Sequence, residues 1–369
     1  MIPVCEPLLL GKELEYVTDC LKTNWISSVG KYVTEFEQRF AEYCGCRYGI
    51  STTSGTTALH LALTSLGIGQ GDEVIVPSFT MAASVFAILY TGAKPVLIDS
   101  EPNTWNMDVT KLEEKITPRT RAIMPVHIYG HPCDMEPIME IANKHRVFVV
   151  EDAAEAHGAE YKDKKVGGIG HIGCFSFYAN KMITTGEGGM VVTNSDGVAE
   201  NAKHLKDQAY CPGKRFLHTD IGFNYRMTNV QAAIGLAQLE NIEQFIDRRR
   251  GNAFLYNQAL KDMPGIVLPP EKEGVKNVYW MYCILIGKDS SISRDELMRR
   301  LKEKGIDTRT FFIPMHQQPA FLNKGLFKGE RYPVAEELSE KGLYLPSSSG
   351  LKKEEIEYTC QAIKDAMRV

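Results

Sequence analysis

From Arg47 onward, short runs of β-branched and aliphatic residues alternate with longer stretches whose apolar positions recur at helical spacing. That alternation predicts a sheet covered on both faces by helices. Arg47–Thr52 reads as the first strand and leads through Ser54-Gly55-Thr56-Thr57 into an apolar helix over Ala58–Leu66. A strand at Glu73–Val76, a helix at Ala82–Tyr90 and a strand at Lys94–Ile98 follow. Asp108 is a natural N-cap for a helix over Val109–Ile116, and Arg121–Val126 reads as a strand. A helix at Met135–His145 precedes the apolar strand Val147–Val150, which delivers Glu151-Asp152; strands at Gly173–Phe177 and Gly189–Thr193 flank Lys181. The sum is an α/β fold with a doubly wound, mostly parallel sheet.

Beyond it, one long helix is predicted from Asn229 through Leu239 to Arg250, before Met263-Pro264-Gly265 and Pro269-Pro270 break the pattern. A strand at Tyr279–Ile286, a helix at Ser293–Gly305 and a closing helix at Lys352–Arg368 read as a small α+β domain. A chain of 369 residues is long enough for two domains. Residues 1–250 form the expected large domain, with an N-terminal segment that could pack elsewhere, and residues 251–369 the small one.

Composition alters this picture little. With 44% hydrophobic and 24% charged residues and a formal net charge of −4, the chain reads as an ordinary soluble globular protein with no nucleic-acid partner. The basic run Arg248-Arg249-Arg250 reads as a solvated helix face. Nine cysteines, odd in number and without a repeating framework, fit reduced thiols and a cytoplasmic location. The N-terminus lacks a basic segment followed by a long apolar one, and no later run reaches the ~18 apolar residues of a membrane span.

Three places carry candidate chemistry. Phe175-Ser176-Phe177-Tyr178-Ala179-Asn180-Lys181 leaves a strand and ends in a lysine before the glycine-rich stretch Gly186–Gly189. A lysine desolvated there can act as an amine nucleophile, although a surface turn lysine would look the same. Glu151-Asp152 emerges at the carboxyl edge of the sheet, where open α/β folds bind ligands. One of those carboxylates could face a pyridine nitrogen, cap the next segment or bind magnesium. Ser54-Gly55-Thr56-Thr57 offers hydroxyls and free helix N–H groups to a phosphate, or serves simply as a helix cap. A phosphorylated pyridine aldehyde needs an acid, a phosphate cradle and a lysine together, so the conjunction is more specific than any member.

At these residues the chain resembles the DegT/DnrJ/EryC1/StrS sugar aminotransferases, within the aspartate-aminotransferase-like fold type I. The resemblance runs from Trp25-Ile26-Ser27-Ser28-Val29-Gly30 through Glu151–Gly158 and the Lys181 segment to Gly222–Asn229. Within that group it resembles the GDP-perosamine synthases, which aminate GDP-4-keto-6-deoxymannose and serve amino-sugar biosynthesis for lipopolysaccharide O-antigen. The resemblance implies pyridoxal 5'-phosphate as cofactor, with Lys181 as its imine-forming and proton-shuttling lysine and Asp152 as partner of the pyridine nitrogen. It places Glu155 near the ring hydroxyl and Thr56, Thr57 and Ser176 at the phosphate. Asn224 would complete that site from the neighbouring subunit of a homodimer with shared active sites. Met81 stands where the family commonly stacks an aromatic residue on the ring, a departure that methionine sulfur can partly make good. Trp25 and Ser27 lie in a segment like the family's entry loop; with Arg309 and His316 they are the candidates for the nucleotide-linked keto sugar. Glutamate is the implied amino donor.

A sugar dehydratase shares the scaffold but in the recognised family carries histidine in place of the lysine, and a non-catalytic regulator has no need of Lys181 and Asp152 together. His127, His131, Cys133 and Asp134 have spacing that suits zinc on a helix, but Gly130 and Pro132 interrupt any helix there, so no metal site is expected. Cys44-Gly45-Cys46 lacks a second cluster, and Gly167-Gly168-Ile169-Gly170 lacks the full dinucleotide fingerprint.

Overall fold

The computed structural model describes residues 1–367, Arg215 by its backbone alone; Arg368, the expected end of the closing helix, lies outside the described residues. Strands β1 (Tyr48–Thr52), β2 (Glu73–Pro77), β3 (Lys94–Ile98), β4 (Thr120–Ile123), β5 (Phe148–Asp152), β6 (Ile172–Ser176) and β7 (Gly189–Thr193) form one sheet in the order β1-β7-β6-β5-β4-β2-β3. Pairing is parallel from β6 to β3, whereas β7 runs antiparallel to both its neighbours. The mostly parallel sheet expected from the pattern is therefore present.

Strand alternation explains how one sheet serves two cores. Val74 and Val76 face the side covered by α3 (Gly55–Ser65) and α4 (Ala82–Tyr90), together with Val150 and Val191. Ile75, Val149, Phe175 and Val192 face the opposite side, where they meet Phe36 and Phe40 of α2 (Lys31–Tyr43) and Leu236 of α7 (Asn229–Leu239). Helix α2 and the preceding helix at Glu13–Lys22 were not foreseen, nor was the helix at Asp196–Lys206.

Three elements differ from expectation. Val109–Ile116 forms two 3₁₀ turns, Val109–Lys111 and Glu113–Lys115, instead of one helix. Asp108 does cap the first through the Thr110 N–H, but the segment is short and ends at Pro118, so few α-type bonds could form. The long helix is broken into α7 and α8 (Ile242–Leu260) at Asn241, whose side-chain amide donates back to the carbonyl of Ala237. The strand expected from Tyr279 starts only at Tyr282. Tyr279 takes a positive φ of 47° and donates its N–H to the Asn277 side chain, which turns residues 279–281 out of the ladder.

Helix α8 carries the chain through residue 250, and Ala253, Tyr256 and Leu260 pack into a third core under a small antiparallel sheet. That sheet contains β8 (Ile266–Val267), β9 (Tyr282–Ile286), β10 (Arg309–Thr310) and β11 (Gly342–Leu345) in the order β8-β9-β11-β10. The N-terminal segment packs there too, through a bridge of Ile2 with Ile306 and a bond from the Ser347 N–H to the Val4 carbonyl at 2.8 Å. The basic run is not a uniform solvated face. Arg249 is buried and bonds the Trp280 carbonyl and Ser349, while Arg250 pairs with Glu271; both meet acceptors from the C-terminal part that local spacing does not reveal. No helix among the described residues is long and apolar enough to cross a membrane.

Candidate active site

The register of the large sheet assembles the site. Ser176 of β6 pairs with Gly189 of β7, which in turn pairs with Thr52 of β1. Asp152 ends β5 one strand away, opposite Cys174. The carboxyl ends of β1, β5 and β6 thus open on one side, and the loops leaving them line a cavity of about 340 Å³. Its walls include Ser54, Gly55, Thr56, Met81, Asp152, Glu155, Ser176, Lys181, Trp280 and Phe312.

Glu151 and Asp152 are neighbours with opposite fates, as alternation along a strand requires. Glu151 is fully buried on the far side and accepts bonds from the N–H groups of Gly167, Ile169 and Gly170, at 2.7, 2.8 and 2.5 Å, besides lying 3.0 Å from His127 Nε2. The glycine-rich segment is therefore a carboxylate-binding turn. Asp152 faces the cavity, its Oδ2 accepting from Ser84 Oγ at 2.7 Å and its Oδ1 from the Ala154 N–H at 3.2 Å. Burial pushes its carboxyl above the ordinary range, and the Ser84 bond works against that rise.

Lys181 is largely but not fully buried, its side chain 11% exposed; loss of water lowers its pKa, while the carboxylates of Glu155 and Asp152 hold it up. Its Nζ stands 3.8 Å from Glu155 Oε1 and 3.8 Å from the centroid of the Trp280 ring. Glu155 Oε2 accepts the Tyr129 N–H at 2.8 Å, and burial drives its carboxyl up to about 7. Behind this group the imidazole of His157 is packed among Phe40, Phe175 and Phe177; burial drives its pKa down to about 3, which keeps the ring neutral.

At the opposite wall, Ser54 caps α3 by accepting from the Thr57 N–H, and Thr57 Oγ1 answers by accepting from the Ser54 N–H at 3.0 Å. Thr57 thus turns its hydroxyl into the cap, whereas Ser54, Gly55 and Thr56 line the cavity. The first N–H groups of a helix have no acceptor within it, which suits an anion. Gly55 matters sterically, since a Cβ there would come within 2.7 Å of Ser176 Cβ and fill the approach to that helix end.

Of the other sequence candidates, Met81 stands at the N-cap position of α4 without a side-chain bond there and lines the cavity half-exposed. Arg309 lines an adjoining cavity of about 510 Å³ that shares Tyr178, Asn180, Trp280 and Phe312 with the first. His316 is not brought to either: it is buried, with Nδ1 2.8 Å from Ser78 Oγ and Nε2 3.0 Å from Glu336 Oε1. Trp25 and Ser27 are exposed outside both cavities, their carbonyls accepting from Asn229 at the start of α7. Asn224 is exposed and lines neither. His127 and His131 are held separately, His127 by Glu151 and the Cys133 N–H and His131 by Pro132 and Lys272. Ser84, Tyr129 and Trp280 were not anticipated. Trp280 reaches the site from the other half of the chain, and only the rarity of tryptophan, three in the sequence, could have drawn attention to it.

The sequence model of the DegT/DnrJ/EryC1/StrS aminotransferase family matches residues 9–364. A GDP-perosamine synthase of Escherichia coli O157:H7 is 48% identical over 364 residues, covering 99% of this chain and 98% of the relative. One of Caulobacter vibrioides is 46% identical over 367 residues, with the same coverage of 99% and 98%. The structure of Spr1654 from Streptococcus pneumoniae in its PLP form superposes with a TM-score of 0.93 at 28% identity, covering 99% of this chain and 98% of that one.

Proposed function

The chain belongs to the DegT/DnrJ/EryC1/StrS aminotransferase family, and from that premise we propose that it converts GDP-4-keto-6-deoxymannose to GDP-perosamine with glutamate as amino donor. It has the type I aminotransferase fold and is a pyridoxal-phosphate-dependent sugar aminotransferase. The observation that carries the assignment is one cavity holding a desolvated lysine, a hydrogen-bonded aspartate and an open, hydroxyl-bearing helix N-terminus. GDP as the nucleotide and the 4-keto-6-deoxy sugar are supported by the two GDP-perosamine synthases, each similar over nearly its full length.

The residues present fit the cofactor. Asp152 is oriented by Ser84 and Ala154 to meet a protonated ring nitrogen, and Ser54, Gly55, Thr56 and Ser176 surround a place for phosphate. When bound, pyridoxal 5'-phosphate supplies the carbon that accepts and returns the amino group and a ring that withdraws electrons from the carbon losing a proton. Lys181 does the proton work. Burial shifts Nζ toward its neutral form, so it would take the proton as base and return it as acid on the same face. Glu155 stands beside that amine and can face the ring hydroxyl. Trp280 and Phe312 line the cavity from the C-terminal part and set apolar walls beside the lysine. A dehydratase reading is disfavoured by the lysine itself.

In this proposal the enzyme is a cytoplasmic homodimer that makes an amino sugar for lipopolysaccharide O-antigen. Asn224, exposed and outside its own chain's cavity, reaches the partner's phosphate site. The neighbouring Phe216, Leu217 and Ile221 are also exposed, as residues that meet a partner would be. Arg309, in the adjoining cavity, suits the diphosphate of the nucleotide because its fork donates two bonds at once.

Two measurements test the reading. Borohydride treatment of the protein mixed with pyridoxal phosphate should leave a phosphopyridoxyl group on Lys181, and its absence there would sink the assignment. Glutamate-dependent conversion across GDP-, UDP- and dTDP-linked 4-keto sugars should favour the GDP sugar; preference for another nucleotide would refute the substrate while leaving the chemistry intact.

A further inference from the structure

Trp280 reaches Lys181 from the other half of the chain, and both ends of the residue are fixed. Its carbonyl accepts from the buried Arg249 guanidinium, and its indole Nε1 donates to the Asn180 carbonyl at 2.8 Å, one residue before the lysine. Arg249 also contacts Ser349 and Cys5, and the Cys5 thiol donates to that same Asn180 carbonyl. The turn at Tyr279 that removes Trp280 from the sheet ladder therefore delivers a braced indole face to the amine.

The contact suits a cation. Nζ lies 3.8 Å from the ring centroid, with Glu155 Oε1 at 3.8 Å, so an ammonium there has a ring face and a carboxylate as neighbours in a dry setting. In the aminotransferase reading, Lys181 spends part of each cycle detached from the cofactor. A detached lysine has a flexible four-carbon stem and must remain within reach of the carbon it serves.

We propose that Trp280 is a positioning residue which, together with Glu155, receives Lys181 in its ammonium form and keeps it at the cavity wall while the amine is protonated and not covalently engaged. This rests on the proposed function. Loss of Trp280 leaves the amine in the cavity but with one fewer favourable neighbour in its charged form. The other titratable groups that face Lys181 are Asp152 at the end of β5, Cys5 of the N-terminal segment and His157 behind the site, and Glu187 lines the same cavity.

The test uses the full chain freed of cofactor. Of its three tryptophans, Trp25 is exposed and Trp105 is buried elsewhere, so tryptophan emission recorded against pH should change as Lys181 deprotonates and should lose that change in Lys181→Met. A titration identical in the wild type and Lys181→Met overturns the proposal. Amine-selective labelling of Lys181 at pH 8 should be at least about fivefold faster in Trp280→Ala, the lower end of what losing a cation–π contact gives, and intermediate in Trp280→Phe. An unchanged rate in a folded Trp280→Ala also overturns it; if that variant fails to fold, the Lys181→Met titration decides, because it leaves Trp280 in place. Wild-type protein that takes the phosphopyridoxyl label on Lys181 while both readouts stay flat refutes the role of Trp280 alone, and failure of the label refutes the function on which it rests.

Discussion

Glu155 and Lys181 are driven by burial toward their neutral forms, and their mutual attraction opposes this. For Glu155 the consequence is a pH-dependent strain on the cofactor-free protein. Its carboxyl titrates near 7 in the fold against an ordinary value of 4.5, so the folded state holds the proton more tightly than the unfolded chain does. The stabilisation from that proton is complete below about pH 4.5 and is lost as pH rises through 7, a change on the order of 3 kcal/mol for a shift of this size. Glu155→Gln keeps the acceptor for the Tyr129 N–H without the titration. Melting temperatures of the cofactor-free variant should therefore gain on the wild type as pH is raised from 4.5 to 8; a difference that stays constant across the range would show that Glu155 is ionised throughout. At this scale Lys181, Asp152 and Thr56 stand at strand or helix ends that the pattern marks, whereas Glu155, Ser176 and Met81 were implied by the family resemblance; all six line one cavity. Thr57 and His316 show where reading by residue type stops. A threonine hydroxyl or an imidazole satisfies whichever partner its local geometry offers, here a helix cap and the Ser78 and Glu336 side chains.

Among elements, the end of β5 gives the sharpest contrast, since adjacent carboxylates on one strand serve different ends. Removing the buried Glu151 carboxylate strands the N–H groups of Gly167, Ile169 and Gly170 at once, so Glu151→Ala should lower stability in urea by about 3–5 kcal/mol. Asp152→Asn keeps the shape and an acceptor for Ser84, so its unfolding midpoint should lie near that of the wild type while glutamate-dependent turnover falls at least a hundredfold, the scale of losing one preorganised electrostatic group. Equal destabilisation by the two changes would contradict the division. Strands with strong apolar runs were readable because their pattern is local; β2, β3 and β7 match expectation closely. The 3₁₀ turns after Asp108, the break at Asn241 and the early exit at Tyr279 were not readable. Each depends on a competing local hydrogen bond or on chain length available to propagate a helix, and the last of these creates the contact between Trp280 and Lys181.

For the whole molecule, the proposed sharing of sites between subunits makes a quantitative prediction about mixtures. Asn224 is remote from its own chain's cavity, whereas Lys181 lines it. If Asn224 serves the partner, Lys181→Ala and Asn224→Ala are defective alone but complementary together. A hybrid of the two has one site lacking both residues and one retaining both, since the intact lysine of one subunit meets the intact asparagine of the other. Equal amounts exchanged to equilibrium give half hybrids with half their sites whole, hence about a quarter of wild-type activity from a two-fold symmetric dimer. Dilution would lower that figure only if the dimer dissociates, so the exchange is best followed by activity and sedimentation together. Hybrids that form and recover nothing would place Asn224 outside the partner's site, and a mixture that recovers activity without forming hybrids would show that one of the two single variants was never impaired.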